Sequence, residues 1–345
     1  MKKATGILAL LLCFLLLTAC GGSPAPTPEE KEGAGGWQAV TLTDQAGREV
    51  TIEKEPQQIV SGYYITTSLL IALDKQDSLV GIEAKADTRN IYSLAAPELL
   101  ELPNVGSAKD FHLEGCIALE PDLVILPLKL ADAADALAQL NIPVLLVNPE
   151  SSQLLEEAIT LIAQATGAQE RGQALLDYYA DKHDKLDKLL EGAQEQPTVY
   201  LAGNSDMLST ATASMYQDTL ITEAGGQNVA AEVQDNYWAT ISYEQLIAWD
   251  PDYIVIVPEA VYTAEDVVNT PQLASLSAVQ EGRVYAMPSA FEAWDSPVPS
   301  GILGTLWMAS LLHPDLYAFS AMQDAAADFY QTFYGFTPDK ASLTQ

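Results

Sequence analysis

The stretch LEGCIALEPDLVIL at residues 113–126 is written again, with changes, as YEQLIAWDPDYIVI at residues 243–256. Glu114 and Glu244, Ile117 and Ile247, Ala118 and Ala248, Pro121 and Pro251, and Asp122 and Asp252 are identical pairs. In each copy a short helical segment is closed by proline, which cannot continue a helix, and a run of Val, Ile and Leu follows that reads as a buried strand. A chain that writes this unit twice is expected to build it in two lobes.

The surrounding pattern supports that reading. TLTDQAGREVTI (41–52) alternates polar and apolar residues around Gln45-Ala46-Gly47, as a β-hairpin does. Strands are predicted at 57–62, 78–84, 123–127 and 143–148, alternating with helices near 66–73, 113–120, 131–140 and 151–166. The alternation restarts with strands at 197–203, 252–257 and 283–288, and helices at 215–224, 242–249, 298–312 and 318–334. Strands alternating with helices make βαβ units and mostly parallel sheets. Between the two runs, AQERGQALLDYYADKHDKLDKLLEGAQ (168–194) is charged and unbroken, with Leu175, Tyr179, Leu186 and Leu190 on one stripe. It reads as a rigid helix between lobes.

The first twenty residues have two lysines, an apolar run too short for a comfortable membrane span, and a small-residue site ending at Cys20. This resembles a bacterial lipobox, which implies cleavage before Cys20, lipidation of Cys20 and an extracytoplasmic address. Residues 21–36 hold little to bury and read as a disordered tether. The expected organisation is a signal peptide at 1–20, a tether at 21–36, an N-terminal lobe at 37–167, a connecting helix at 168–195 and a C-terminal lobe at 196–345. Cys13 leaves with the signal and Cys20 carries lipid, so Cys116 has no internal disulfide partner and reads as a small core residue. A formal charge of −31 argues against nucleic acid or anionic lipid as a partner.

These residues together resemble the periplasmic-binding-protein family that delivers ferric siderophores, haem, vitamin B12 and related complexes to ABC importers. The resemblance runs from about residue 40 to 320. It is carried by TDQAGREVTI with PQQIVS, NVGSAKDFHLEGCIALEPDLVI, GGQNVAAE, ISYEQLIAWDPDYIVI and VQEGRVYAMPS. It implies an α/β fold of two Rossmann-like lobes joined by one long connecting helix, with the ligand in the cleft between them. WDSPVPSGILG (294–304) is similar to the family's Ser-Pro-Arg segment, but Val298 stands where an arginine is usual. The resemblance also implies that Glu114 and Glu244 lie on the cleft-side surface of the lobes and pair with arginines of a permease dimer that works with an ATPase.

No Walker A loop, nucleophile elbow, Cys-x-x-Cys or His-Glu-x-x-His stands in the sequence, and His112, His183 and His313 are scattered. No catalysis, cofactor or metal site is expected. His183, in the charged helix, is expected in solvent. Ligands of α/β sheets bind beyond the carboxyl ends of strands. The loops there are aromatic and basic: Tyr63, Tyr64, Arg89, Tyr92, Lys109 and Lys129 in the first lobe, and Met207, Tyr216, Trp238, Tyr262 and Trp294 in the second. The basic set points to an anionic or polar ligand group, and the rings would suit a flat or bulky chelate. The expectation is a monomeric, lipid-anchored receptor for an iron complex (siderophore or haem) or a corrinoid. A receptor for molybdate or tungstate, and a surface enzyme or sensor on the same fold, are the alternatives.

Overall fold

The computed structural model describes residues 37–234 and 238–345. Cys20, the signal segment and the tether lie outside the described residues. The described residues open with the hairpin β1 (Val40–Thr43) and β2 (Glu49–Ile52), paired antiparallel as the alternation required. The N-terminal lobe follows: β3 (Ile59–Ser61), α1 (Tyr64–Ala72), β4 (Leu79–Ile82), α2 (Asn90–Ala95), the small pair β5 (Gly106–Ser107) and β6 (Asp110–Phe111), α3 (Leu113–Ala118), β7 (Leu123–Pro127), α4 (Ala131–Ala138), β8 (Val144–Val147) and α5 (Ser152–Thr166). Its sheet runs β4-β3-β7-β8, parallel throughout. The strand β7 is buried along its whole length, which is why it reads as an unbroken apolar run.

The 22-residue helix α6 (Gln169–Leu190) connects the lobes and buries Leu175, Tyr179 and Leu186. The C-terminal lobe then adds β9 (Thr198–Ala202), β10 (Ser209–Thr210), α7 (Tyr216–Glu223), β11 (Gln227–Asn228), β12 (Ala239–Thr240), α8 (Tyr243–Trp249), β13 (Tyr253–Ile256), α9 (Ala264–Val268), α10 (Ser277–Gln280), β14 (Val284–Ala286), α11 (Gly301–Leu312) and α12 (Phe319–Tyr334). Its sheet runs β12-β10-β9-β13-β14, with β11 also on β9; β9, β11, β13 and β14 are parallel, and β10 runs antiparallel to both of its neighbours, β9 and β12.

The repeated phrase does the same work twice. Glu120 and Asp250 sit before the prolines with φ of +50° and +42°, the left-handed turn that ends each helix. The Asp122 carboxylate then accepts the backbone N–H groups of Gln57 and Gln58, at 2.9–3.1 Å, and so fastens the entry to β3. Asp252 accepts from the backbone N–H and hydroxyl of Thr198, at 2.8 and 2.7 Å, and fastens the start of β9. One buried residue anchors each short helix, Cys116 in α3 and Leu246 in α8. Glu114 and Glu244 are both exposed in the first turns.

The two sheets are separate, but the apolar core is not. One continuous cluster joins Ile59 and Ile125 of the first sheet to Val199, Leu201 and Val255 of the second. It passes through α6, through α11, all of whose residues are buried, and through α12. At ~1.5–3 kcal/mol for each large buried side chain, this shared spine resists a wide separation of the lobes.

Candidate functional site

The first strand of the N-terminal sheet ends at Gly62, where a side chain would strike Leu126 and Phe111. The chain turns there into Tyr63 and Tyr64, whose rings meet edge to face at 5.3 Å between centroids. The loop after β4 brings Glu83 and Arg89 to the same end of the sheet. From the other lobe, the loops after β13 and β14 bring Glu259, Ser289, Phe291 and Glu292. A cavity of about 40 Å³ lies here between the lobes, with Tyr64, Ser68, Thr88, Arg89, Asn90 and Tyr92 on one wall and Glu259, Ser289, Phe291, Glu292 and Val298 on the other. Ligand pockets generally span ~300–1,000 Å³, so the cavity is nearly closed and a ligand enters only when the lobes part.

Arg89 is the one cation in the lining. Its guanidinium lies 3.9 Å over the Tyr64 ring centroid, a cation–π stack. Its Nε is 3.6 Å from the Glu83 carboxylate, which is close enough for charge attraction but too long for a hydrogen bond. That Nε is buried without a hydrogen-bond partner. Glu83 is buried and accepts from the Thr67 hydroxyl at 2.6 Å and from the Tyr92 hydroxyl at 2.8 Å. Desolvation pushes its carboxyl above the usual range, against the pull of those hydroxyls and of Arg89. Burial also raises the Tyr64 phenol, to about 12, so it stays a neutral donor.

Two buried carboxyls, Glu83 and Glu292, thus feel one guanidinium. Glu292 is held by hydroxyls alone: Ser68 of α1 donates to one oxygen, and Ser300 donates to the other at 2.5 Å, with the Tyr334 hydroxyl 3.3 Å away. Burial raises its pKa too. Asp295, 8% exposed, is raised to about 7, first by desolvation. Hydrogen bonds also cross between the lobes at the mouth: the Tyr64 hydroxyl donates to Ser296 Oγ at 3.1 Å, and Asn90 Nδ2 donates to the Ala290 carbonyl at 3.0 Å.

The structure thus brings Tyr64, Arg89 and Tyr92 to one cavity, with Tyr63 beside them. Tyr92 is wholly buried, and its hydroxyl serves Glu83. Lys109 stands exposed in the β5–β6 turn and Lys129 is exposed beyond β7; neither lines the cavity. Trp238, Met207 and Tyr262 gather around the end of β9. Trp238 lies against Gly203, the Tyr262 hydroxyl donates to the Gly203 carbonyl at 2.6 Å, and Met207 packs in the same lobe's apolar cluster. Tyr216 is 3% exposed and faces Gly301 behind the cavity.

Trp294 requires a correction. It is 1% exposed, its indole N–H donates to the Tyr330 hydroxyl at 2.9 Å, and Gly304 of α11 makes room for its backbone. It is a core residue and offers no ring face to a ligand. The loop that holds it looks exposed in sequence, but the aromatic face of α12 lies over it. His183 also differs from expectation: it is half-buried beside Glu223, in a small cavity between α5, α6, α7 and α11. Ser68, Glu83, Glu292 and Asp295 escaped sequence reasoning. Their one signal was polarity inside apolar surroundings, as in SLLIAL and AFEAWD.

Two α/β lobes that share a spine and close on a polar cavity define a solute receptor. The chain belongs to the periplasmic binding protein family, whose pattern matches residues 59–291. It is similar to the molybdate-binding protein MolA of Haemophilus influenzae, 25% identical over 329 residues that cover 87% of this chain and 93% of the relative. It is also similar to the ABC transporter substrate-binding lipoprotein YvrC of Bacillus subtilis, 27% identical over 327 residues, covering 92% and 99%. Among solved structures, a periplasmic solute binding protein from Veillonella parvula shares the fold, with a TM-score of 0.77 at 24% identity over 88% of this chain and 95% of that one. The family is that of the periplasmic substrate-binding proteins of ABC transporters. No helix among the described residues is long and apolar enough to cross a membrane.

Proposed function

We propose that this receptor captures a small anion, an oxyanion of the molybdate or tungstate class, between its lobes and hands it to a permease dimer driven by an ATPase. The observation that carries the reading is Arg89. It is a guanidinium fixed against Tyr64, with an unpartnered Nε, in a cavity too tight for a bulky chelate without further opening. Charge-assisted bonds from a planar guanidinium suit oxyanions. The name of the Haemophilus influenzae relative agrees with this chemistry. Val298 leaves the opposite wall without a cation, so the burden falls on Arg89.

A second reading, an iron complex (siderophore or haem) or a corrinoid, is favoured by the aromatic surfaces of Tyr64 and Phe291 in the walls. It requires the lobes to part at the Tyr64–Ser296 and Asn90–Ala290 bridges. In both readings the protein performs no catalysis, works as a monomer outside the cytoplasmic membrane and is anchored by lipid on Cys20. Glu114 and Glu244, exposed at matching places on the two lobes, dock it to the two permease subunits. Calorimetric titration of the purified protein with molybdate, tungstate, ferric citrate, haem and cobalamin tests the choice. Saturable one-to-one binding of an oxyanion supports the first reading; binding of only an iron complex or a corrinoid rejects it.

A further inference from the structure

We propose that Glu292 is the specificity-determining residue of the cleft: in the complex its carboxyl donates a hydrogen bond to one oxygen of the anion, and so selects the more basic tetrahedral oxyanions, molybdate and tungstate, over sulfate, which has the same shape and charge. The inference rests on the anion reading for the ligand and adds what separates one oxyanion from another. Glu292 lines the same cavity as Arg89, from the opposite lobe, and is 8% exposed. Both of its oxygens are held. Ser68 of α1 donates to Oε1, and Ser300, just before α11, donates to Oε2 at 2.5 Å. The Ser68 hydroxyl lies 2.8 Å from the Tyr334 hydroxyl of α12. The carboxyl is thus pinned by groups from both lobes at the wall that a ligand must touch.

Charge counting gives Glu292 its role. The phenols of Tyr179 on α6 and of Tyr330 and Tyr334 on α12 face it, and burial keeps all three neutral. Arg89 also acts on it, but Arg89 is the one cation in the lining and is already drawn to Glu83. A single guanidinium cannot balance Glu83, an ionised Glu292 and a doubly charged anion in a space closed to water. The wall opposite Arg89 consists of Glu259, Ser289, Phe291, Glu292, Ala293 and Val298. Glu259 is exposed to water and Glu292 is not. An oxyanion accepts hydrogen bonds on every side, and on this wall the buried donors are the Ser289 hydroxyl and a protonated Glu292. One proton from solvent, held between Glu292 and an anion oxygen, removes the conflict of charges and supplies the donor. Molybdate and tungstate are more basic than sulfate, so their oxygens accept that bond more strongly.

Tungstate and sulfate are the probes, titrated by calorimetry near neutral pH at fixed ionic strength. The wild type should prefer tungstate. In Glu292→Gln, whose amide donates to either anion alike, the preference should fall by about 10- to 100-fold, the worth of one hydrogen bond to a charged group. What remains is the difference in size, which the variant leaves in place. Glu292→Asp, which draws the acid back by one methylene, should lose preference as well, and melting curves check that each variant is folded. Infrared spectra of the tungstate complexes supply a second readout: the wild type should show the C=O stretch of a protonated carboxyl that E292Q lacks. A preference that survives in both variants, or a wild-type complex without that band, overturns the inference, and tungstate binding in those same samples leaves the anion reading intact. If the wild type binds neither anion, the anion reading fails and this inference fails with it.

Discussion

Replacing Arg89 by alanine separates ligand binding from architecture. The guanidinium makes two contacts inside the protein, the stack on Tyr64 at 3.9 Å and the 3.6 Å approach to Glu83, and leaves Nε unpartnered. If that charge meets an anion, the loss is one charge-assisted contact, ~1.5–3 kcal/mol, or about 10- to 150-fold in affinity at ~1.4 kcal/mol per tenfold. R89A also strips Glu83 of its one nearby cation among the described residues, so some stability should fall as well. The Arg89 side chain keeps 27% of its exposure, so solvent screens that pair and the loss should be modest. The double variant R89A/E83Q resolves the two effects. It removes the stranded carboxylate and should restore the melting temperature while leaving binding weak. Calorimetry with tungstate and thermal melts on the wild type and the two variants provide the assay. Unchanged affinity in R89A with a lower melting temperature would refute the reasoning and make Arg89 a clamp for Glu83.

Trp294→Ala should lower stability by ~3–5 kcal/mol, as loss of a buried aromatic does, and leave ligand affinity nearly unchanged below the melting transition; chemical denaturation with parallel titrations checks this. Glu114→Ala combined with Glu244→Ala should keep fold and affinity but lose stimulation of the transporter's ATPase in reconstituted vesicles, and reversal to Arg should be worse. Normal stimulation by the double Ala variant would leave the repeat with its architectural role alone. Cys20→Ala should abolish lipid labelling and move the protein to the soluble fraction on membrane fractionation.

Fold and site were unequally legible in the sequence. β7 and β13 announce themselves as apolar runs after Pro-Asp corners, because strands covered on both faces must be apolar along their length. The stripe of α6 was equally plain, since a helix that touches a core on one side keeps that side apolar. The short strands β10 and β12 escaped, because two-residue pairings owe their place to neighbours across the sheet and carry no period of their own. Tyr64 and Arg89, which line the cavity, were legible as candidates because they follow strand ends. Trp294 was misplaced because the covering helix α12 lies about 30 residues further on, and nothing local reports it. Glu292 and Asp295 were missed because hydroxyls and an amide supply their partners, and ion-pair reasoning does not look for those. Of the basic residues expected at the cleft, Arg89 lines the cavity, whereas Lys109 and Lys129 are exposed outside the lining.

The central claim is that an anion sits between the lobes on Arg89. Anomalous diffraction from crystals grown with tungstate, with data collected at the tungsten edge, tests it most directly. The expected result is one strong peak in the cavity between Tyr64 and Phe291, with an oxygen of the anion within hydrogen-bond distance of the Arg89 guanidinium. A cavity without a peak, in crystals whose protein binds tungstate in solution, would contradict it.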